Sequence, residues 1–198
     1  MSQKGVFVIL RRFPFSESDL IVHALSDDGA KVSFIARGAL KSKKRFAGGV
    51  LEPTHHVELV YRAPKAEDGL AVIEEARLLN DFPKKSRHYD AISLALHSVD
   101  CVSRVSFEGD VGNQALYRLL GNMLKAIEIR EDLEILKTQF HLKLLWQQGV
   151  LTIEPWMKPY LARPLLESMP LIPDDENLHR QSEYADAQVR EYLLSASL

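Results

Sequence analysis

The sequence contains a single cysteine, Cys101, among its 198 residues. One sulfur cannot form an intramolecular disulfide, and it cannot supply a zinc site built from several cysteines. We therefore expect a protein of a reducing compartment that has no disulfide framework, no metal centre and no cofactor.

Long apolar runs are also lacking. The N-terminal run ends at Leu10 and is followed at once by Arg11 and Arg12, so it is too short for a signal peptide. No stretch approaches the ~18 apolar residues that a membrane-spanning helix needs. The expectation is a soluble, intracellular protein without a membrane partner.

The common enzyme motifs are missing too, among them the phosphate-binding glycine loops, H-E-x-x-H and G-x-S-x-G. His55 and His56 are adjacent on a predicted strand, where neighbouring side chains point to opposite faces and cannot share a metal ion. His97 and Cys101 are four residues apart on a predicted helix and share a face, and a Cys-His couple is one form of activated nucleophile. A buried thiol beside an imidazole explains that pair equally well. We predict that the chain is not an enzyme.

Charge is divided unevenly along the chain. Residues 1–65 hold 11 basic and 6 acidic side chains, whereas the remaining 133 residues hold 14 basic and 21 acidic ones. The formal net charge of −2 therefore averages two unlike parts. Such asymmetry indicates a nucleic-acid-binding N-terminal part, with protein contacts left to the acidic remainder.

Short β-segments separated by turn residues fill the first 80 residues. Residues 27–29, Asp-Asp-Gly, predict a tight hairpin turn. Five short strands without a long helix favour a closed or partly open barrel, which leaves few exposed sheet edges. The predicted strands are 5–11, 19–26, 31–36, 54–62 and 70–79, of which the last is also compatible with a helix.

Apolar residues recur every three and four positions after residue 80, which predicts amphipathic helices. Asn113 is placed to cap the second of them, Gly149 to end the third, and residues 174–176 to begin the last. We expect the α+β class, with a β-barrel domain over residues 1–79 and an all-α domain over residues 80–198.

Residues 37–49, R-G-A-L-K-S-K-K-R-F-A-G-G, carry five cations and no acid between two predicted strands. Lysines, arginines and glycine amides in such a loop contact phosphates, which supply most nucleic-acid affinity. The alternative is a solvated loop that binds nothing. Rings at Phe13, Phe34 or Tyr61 could stack on bases, although we expect strand aromatics to pack inward. The predicted contact residues are Arg11, Arg12, Lys31, Arg37, Lys41, Lys43, Lys44, Arg45 and Phe46.

The same region resembles the N-terminal domain of the RecO family of bacterial recombination mediators. The resemblance rests on V-I-L-R-R-F-P-F-S-E-S-D-L-I-V at residues 8–22, D-D-G-A-K-V-S-F-I-A-R-G-A-L-K-S-K-K-R-F at 27–46 and L-E-P at 51–53. F-H-L-K-L-L-W-Q-Q-G-V at residues 140–150 is similar to a helix of the family.

The resemblance implies an OB-fold joined to a helical domain in a cytoplasmic, nucleoid-associated protein. It implies binding of single- and double-stranded DNA, annealing of complementary strands, and cooperation with RecR in loading recombinase on coated DNA. It also implies binding of the C-terminal tail of the single-stranded-DNA-binding protein, for which the matching residues here are Lys137, Phe140, Lys143 and Leu144.

Residues 150–173 contain no cysteine, whereas many family members carry a four-cysteine zinc module there. We therefore expect no zinc module. A different interpretation also stays open, in which the helical domain is a protein-interaction scaffold and the β-domain only tethers it.

Overall fold

The computed structural model describes residues 1–42, 44–46, 49–64, 69–82, 88–109, 112–169 and 174–196. The chain forms two compact units. The barrel unit comprises Met1–Phe82 and Ser106–Tyr117, and the helical unit comprises Pro83–Val105 and Arg118–Leu198. The sequence predicts a single domain boundary after residue 79. In the structure, residues 106–117 also belong to the barrel unit.

The barrel unit is built on a closed five-stranded sheet. Its strands are β1 (Ser2–Pro14), β2 (Leu20–Ser26), β3 (Lys31–Ala36), β4 (His56–Arg62) and β5 (Ala71–Asn80). They follow the order β1-β2-β3-β5-β4, in which β4 closes on β1 and only the β3–β5 pair is parallel. The predicted α+β class with an N-terminal OB-fold is confirmed, and residues 70–79 are a strand rather than a helix.

Alternating side chains and three aromatic rings build the barrel core. Val57 and Leu59 of β4 point inward and are buried, whereas Glu58 between them pairs with Lys4. The rings of Phe7, Phe34 and Tyr61 meet edge to face with centroids 5.2–5.8 Å apart. Phe34 and the half-buried Tyr61 thus belong to the core, as expected, and not to a base-stacking surface.

The β2–β3 hairpin turns where the sequence predicts it. Gly29 adopts a φ of 93°, and its N–H donates to the Ser26 carbonyl at 3.0 Å. The carbonyl of Asp28 accepts a hydrogen bond from the N–H of Gly112, again at 3.0 Å. The turn is therefore held by a segment more than 80 positions away in the chain.

Over the described residues, five α-helices follow the barrel strands: α1 (Tyr89–Val105), α2 (Gln114–Ile129), α3 (Leu133–Gln147), α4 (Lys158–Ala162) and α5 (Asp175–Ser195). The predicted caps are present, since Asn113 accepts from the N–H of Leu116 and Asp174 accepts from the N–H of Asn177. None of these helices, over the described residues, has a stretch long and apolar enough to cross a membrane.

Helix α3 is buried on nearly all sides. Its polar residues Thr138 and Gln139 are as inaccessible as Leu136 and Phe140. The Gln139 side-chain amide donates to the carbonyls of Tyr160 and Arg163, and its oxygen accepts from the buried guanidinium of Arg130. Because buried polar groups need such partners, this network fixes α3 within the helical unit.

Candidate nucleic-acid interface

The basic loop, residues 37–50 between β3 and β4, presents its cations on the surface. Arg37, Lys41, Lys44 and Arg45 are all exposed. Lys43 lies outside the described residues. Because these four charged groups are accessible to solvent, phosphate oxygens can approach them.

Asp19 holds the start of the basic loop in place. Its Oδ1 accepts a hydrogen bond of 2.8 Å from the N–H of Gly38, which has a φ of 68°. The N–H of Leu40 donates to the Ser18 carbonyl at 3.0 Å. The Gly38 amide, helped by the hydroxyls of Ser18 and Ser16, holds the pKa of the Asp19 carboxyl below its usual range. Our sequence reasoning missed this anchoring role, although an acid just before β2 is the signal for it.

Phe46 is a second anchor, and here the sequence prediction was wrong. The ring was expected to face nucleic acid, but it is 6% exposed and packs in the barrel core beside Val50 and Leu51. Burial of an aromatic ring contributes about 25 cal/mol of stabilising free energy per Å² of apolar surface removed from water. An exposed ring would lose this contribution. Arg45 covers this ring, with its guanidinium carbon 5.4 Å from the ring centre, and donates to the Arg37 carbonyl.

The remaining predicted cations lie on the strands. Arg11 and Arg12 are exposed on β1, and Lys31 is half-buried at the start of β3. Arg12 pairs with Glu52 at 2.6 Å across the base of the basic loop. A small pocket of about 260 Å³ opens beside this pair and is lined in part by Leu40 and Phe46. The Glu52 carboxylate partly neutralises the charge of Arg12. The cations of the basic loop therefore contribute more than Arg12 does to the positive potential of this surface.

Two exposed rings lie at the end of β1. Phe13 is 41% exposed and Phe15 is 62% exposed. Phe13 follows Arg11 and Arg12 directly, and Phe15 follows two positions later. An exposed ring beside cations is the arrangement on which single-stranded bases stack. Of these two rings only Phe13 was a candidate from the sequence, since the exposure of a single ring beyond the predicted strand 5–11 depends on the fold.

The residues matched to tail binding lie in the helical unit. Phe140 and Leu144 are fully buried in α3. Lys137 pairs with Asp186 at 2.5 Å, and the ammonium of Lys143 donates to the Leu161 carbonyl at 2.6 Å. Phe140 and Leu144 therefore cannot line the expected apolar groove, because neither side chain reaches the surface. Tail binding itself stays a prediction.

His97 and Cys101 do share a face of α1, and α3 brings His141 to them. The Cys101 sulfur lies 3.5 Å from His97 Nε2, which lies 2.8 Å from His141 Nε2. Burial lowers the pKa of His97 to about 4, lowers that of His141 and raises that of Cys101 to about 12. A buried, protonated thiol is a poor nucleophile. His55 and His56, by contrast, have separate partners in Asp81 and Tyr117.

Comparison with known proteins extends the resemblance. The family model described as "Recombination protein O N terminal" matches residues 1–82. The "DNA repair protein RecO" of Syntrophus aciditrophicus is 37% identical over 139 residues, which cover 69% of this chain and 52% of that protein. The proteins of the same name from Exiguobacterium sp. and Maridesulfovibrio salexigens are 29% and 28% identical, over 76% and 83% of this chain.

The chain spans 52–65% of the length of these three relatives. The family model coincides with the barrel strands and the basic loop. The match to these three relatives covers 139–166 residues and so extends beyond the barrel strands into the helices.

Proposed function

This chain belongs to the RecO family of DNA repair proteins, and from that premise we propose that it binds DNA through the basic loop and acts without catalysing bond chemistry. The exposed cations Arg37, Lys41, Lys44 and Arg45 contact phosphates, and Phe13 and Phe15 offer rings to unpaired bases. The lack of an acid within the loop is the observation that carries this proposal.

The loop is suited to phosphates because its backbone is held at both ends. Asp19 fixes Gly38, and Phe46 inserts into the barrel core. Anchored cations lose less conformational freedom on binding than a free chain does, so more of the electrostatic attraction remains as affinity. Neutralised phosphates repel one another less, so a second strand can approach while its base edges stay free to pair.

The wider activity in this proposal comes from the family. It comprises binding of single- and double-stranded DNA, annealing, and help in loading recombinase on DNA coated by the single-stranded-DNA-binding protein. RecR and the tail of the coating protein are the proposed partners, in the bacterial cytosol at the nucleoid. The buried, high-pKa thiol of Cys101 supports a non-enzymatic role, because it argues against the Cys-His nucleophile.

A triple variant tests the DNA contact. Replacing Lys41, Lys44 and Arg45 by alanine should weaken binding of a single-stranded oligonucleotide. Each lost phosphate contact should reduce the steepness of log Kobs against log salt by about 0.7, so the triple change should reduce it by roughly 2. Fluorescence anisotropy at several salt concentrations measures both quantities.

A matched control separates contact from overall charge. Lys125, Lys158 and Arg180 are exposed cations of the helical unit, and replacing all three by alanine changes the net charge equally. We expect this control to keep nearly the wild-type slope. An equal slope for both triple variants would contradict the loop as the contact, and no binding by the wild type would favour the scaffold interpretation instead.

A further inference from the structure

Helices α1 and α3 bring three potential metal ligands together in the helical unit. One nitrogen each from His97 and His141 and the sulfur of Cys101 all lie within 4.8 Å of one another. Cys101 and His141 are buried, whereas His97 lies at the surface and lines a cavity of about 960 Å³. This cluster has no part in the proposed DNA contact.

We propose that His97, Cys101 and His141 form a binding site for one Zn²⁺ ion, with Asp186 orienting His141 from the second coordination shell. Two imidazoles and one thiolate form a ligand set that prefers Zn²⁺ to Mg²⁺ or Ca²⁺, which take oxygen ligands. Three protein ligands leave a fourth position, which a water molecule from the cavity beside His97 fills. The site is unlike a four-cysteine module, for which this chain lacks the sulfurs.

The separations are close to those around a tetrahedral ion: one matches, one is too short, and the distance from the Cys101 sulfur to the His141 nitrogen is within 4.8 Å. With Zn–S near 2.3 Å and Zn–N near 2.0–2.1 Å, a sulfur and a nitrogen ligand are about 3.6 Å apart and two nitrogens about 3.3 Å. The Cys101 sulfur lies 3.5 Å from His97 Nε2, which already matches. The 2.8 Å between the two Nε2 atoms must widen by about half an ångström, which a small rotation of the surface residue His97 provides.

Asp186 supplies the second shell that histidine ligands usually have. Its Oδ1 lies 3.0 Å from His141 Nδ1, and its Oδ2 pairs with Lys137. The carboxylate favours a proton on Nδ1 of His141, which leaves the Nε2 lone pair directed at the cluster. When the ion binds, the Cys101 thiol releases its proton to solvent and its sulfur lone pair passes to the metal. Binding therefore links α1 to α3.

Cobalt(II) is a spectroscopic probe for this site. The chain is stripped of metal with a chelator and titrated with Co²⁺ at neutral pH. We expect one Co²⁺ per chain, tetrahedral visible bands and a thiolate-to-cobalt charge-transfer band, all removed by added Zn²⁺. Because Cys101 is the only thiol in the chain, a missing charge-transfer band, or one metal per two chains, overturns the proposal.

Variants identify the ligands. Cys101→Ser should abolish the charge-transfer band, His97→Ala should remove most of the affinity, and Asp186→Asn should lower affinity by about 10- to 100-fold. His179→Ala is the matched control, since His179 lies exposed on α5, and it should bind as the wild type does. Wild-type affinity in His97→Ala would refute the assignment. X-ray absorption of the zinc-loaded wild type needs no variant: a shell with one sulfur and imidazole nitrogens supports the site, and a shell without sulfur overturns it.

Discussion

A single carboxylate has two opposite effects on the basic loop. Asp19 places a negative charge close to Arg37, which by itself weakens attraction for phosphate. The same group accepts the hydrogen bond from Gly38 that fixes the start of the loop. Because the second effect depends on an acceptor atom and the first on charge, two substitutions separate them.

We predict that Asp19→Asn binds single-stranded DNA at least as tightly as the wild type, because the amide oxygen still accepts from Gly38 and the charge is gone. Asp19→Ala should bind more weakly than Asp19→Asn, because it loses the acceptor as well. Anisotropy titrations of the three proteins under one salt condition measure this order. Equal affinities of the two variants would show that the hydrogen bond does not organise the loop.

The lowered pKa of Asp19 also makes the free energy of unfolding depend on pH. Its folded pKa lies below the ordinary value of 3.8, so the unfolded chain takes up the proton first as pH falls. The stabilisation is present above about pH 4 and is lost as pH falls through the lowered pKa. In urea denaturation the free energy of unfolding of the wild type should therefore fall more than that of Asp19→Asn between about pH 5 and pH 2. This is the pH range over which a carboxyl with a lowered pKa takes up its proton.

At the scale of elements, both neighbouring residues and a distant segment determine the conformation of the β2–β3 hairpin. An Asp-Asp-Gly turn between two β-branched segments predicts a hairpin from neighbouring residues alone. The space beside Gly29, however, is set by the backbone of Asn113, which a Cβ at this position would strike. Both this clash and the φ of 93° oppose any other residue.

We predict that Gly29→Ala lowers the free energy of unfolding by more than about 1 kcal/mol, because the backbone must strain or the Asn113 segment must move. Gly121→Ala is the control. Gly121 lies within α2 with open space around its Cβ position, so alanine should stabilise the chain by about 0.5–1 kcal/mol. Urea denaturation measures both changes. A stable Gly29→Ala protein would mean that the turn is not held as the structure shows.

Helix α3 shows that burial in the helical unit depends on segments distant in the chain. The apolar residues that recur every three and four positions after residue 80 predict helices with one apolar face, and in α3 Leu136, Phe140 and Leu144 are buried. The polar residues Thr138 and Gln139 of the same helix are buried too. Their partners come from residues 130 and 160–163, and no local pattern in α3 indicates that these segments cover it.

For the whole molecule, the two units carry different parts of the proposed function. Positive charge is concentrated in residues 1–65, and the remainder is acidic. Residues 66–82 and 106–117 add seven acids and one base to the barrel unit, so each unit has a formal net charge of −1. We therefore expect the acid-free basic loop, and not the unit as a whole, to attract DNA, and we expect the helices to contact protein partners. Annealing of strands coated by the single-stranded-DNA-binding protein needs both kinds of contact.

We predict that the wild type anneals complementary oligonucleotides whether bare or coated. The triple loop variant should be slow in both assays, because it lacks phosphate contacts. Lys137→Glu combined with Lys143→Glu should be slow only with coated strands, because these lysines are the cations matched to the acidic tail. A fluorescence-quenching assay measures the rates, and Lys125→Glu with Lys158→Glu is the charge-matched control.

Failure of the two assays would mean different things. If the paired glutamate variant anneals coated strands like its control, tail binding by these lysines is wrong while the loop proposal stands. If the loop variant anneals bare strands normally, the DNA contact lies elsewhere. Circular dichroism should accompany the Lys143 variant, because its ammonium donates to the Leu161 carbonyl within the helical unit.

The sequence by itself determined the five strands, their turn, the helix caps, the acid-free loop and the family, because each depends on residues close together in the chain. Only the tertiary structure decided that Phe46 is buried while Phe15 is exposed, that α3 has no open groove at Phe140, and that His141 joins His97 and Cys101. Those outcomes depend on which distant segments pack together, and the free energy of burial that selects the packing is a property of the whole fold.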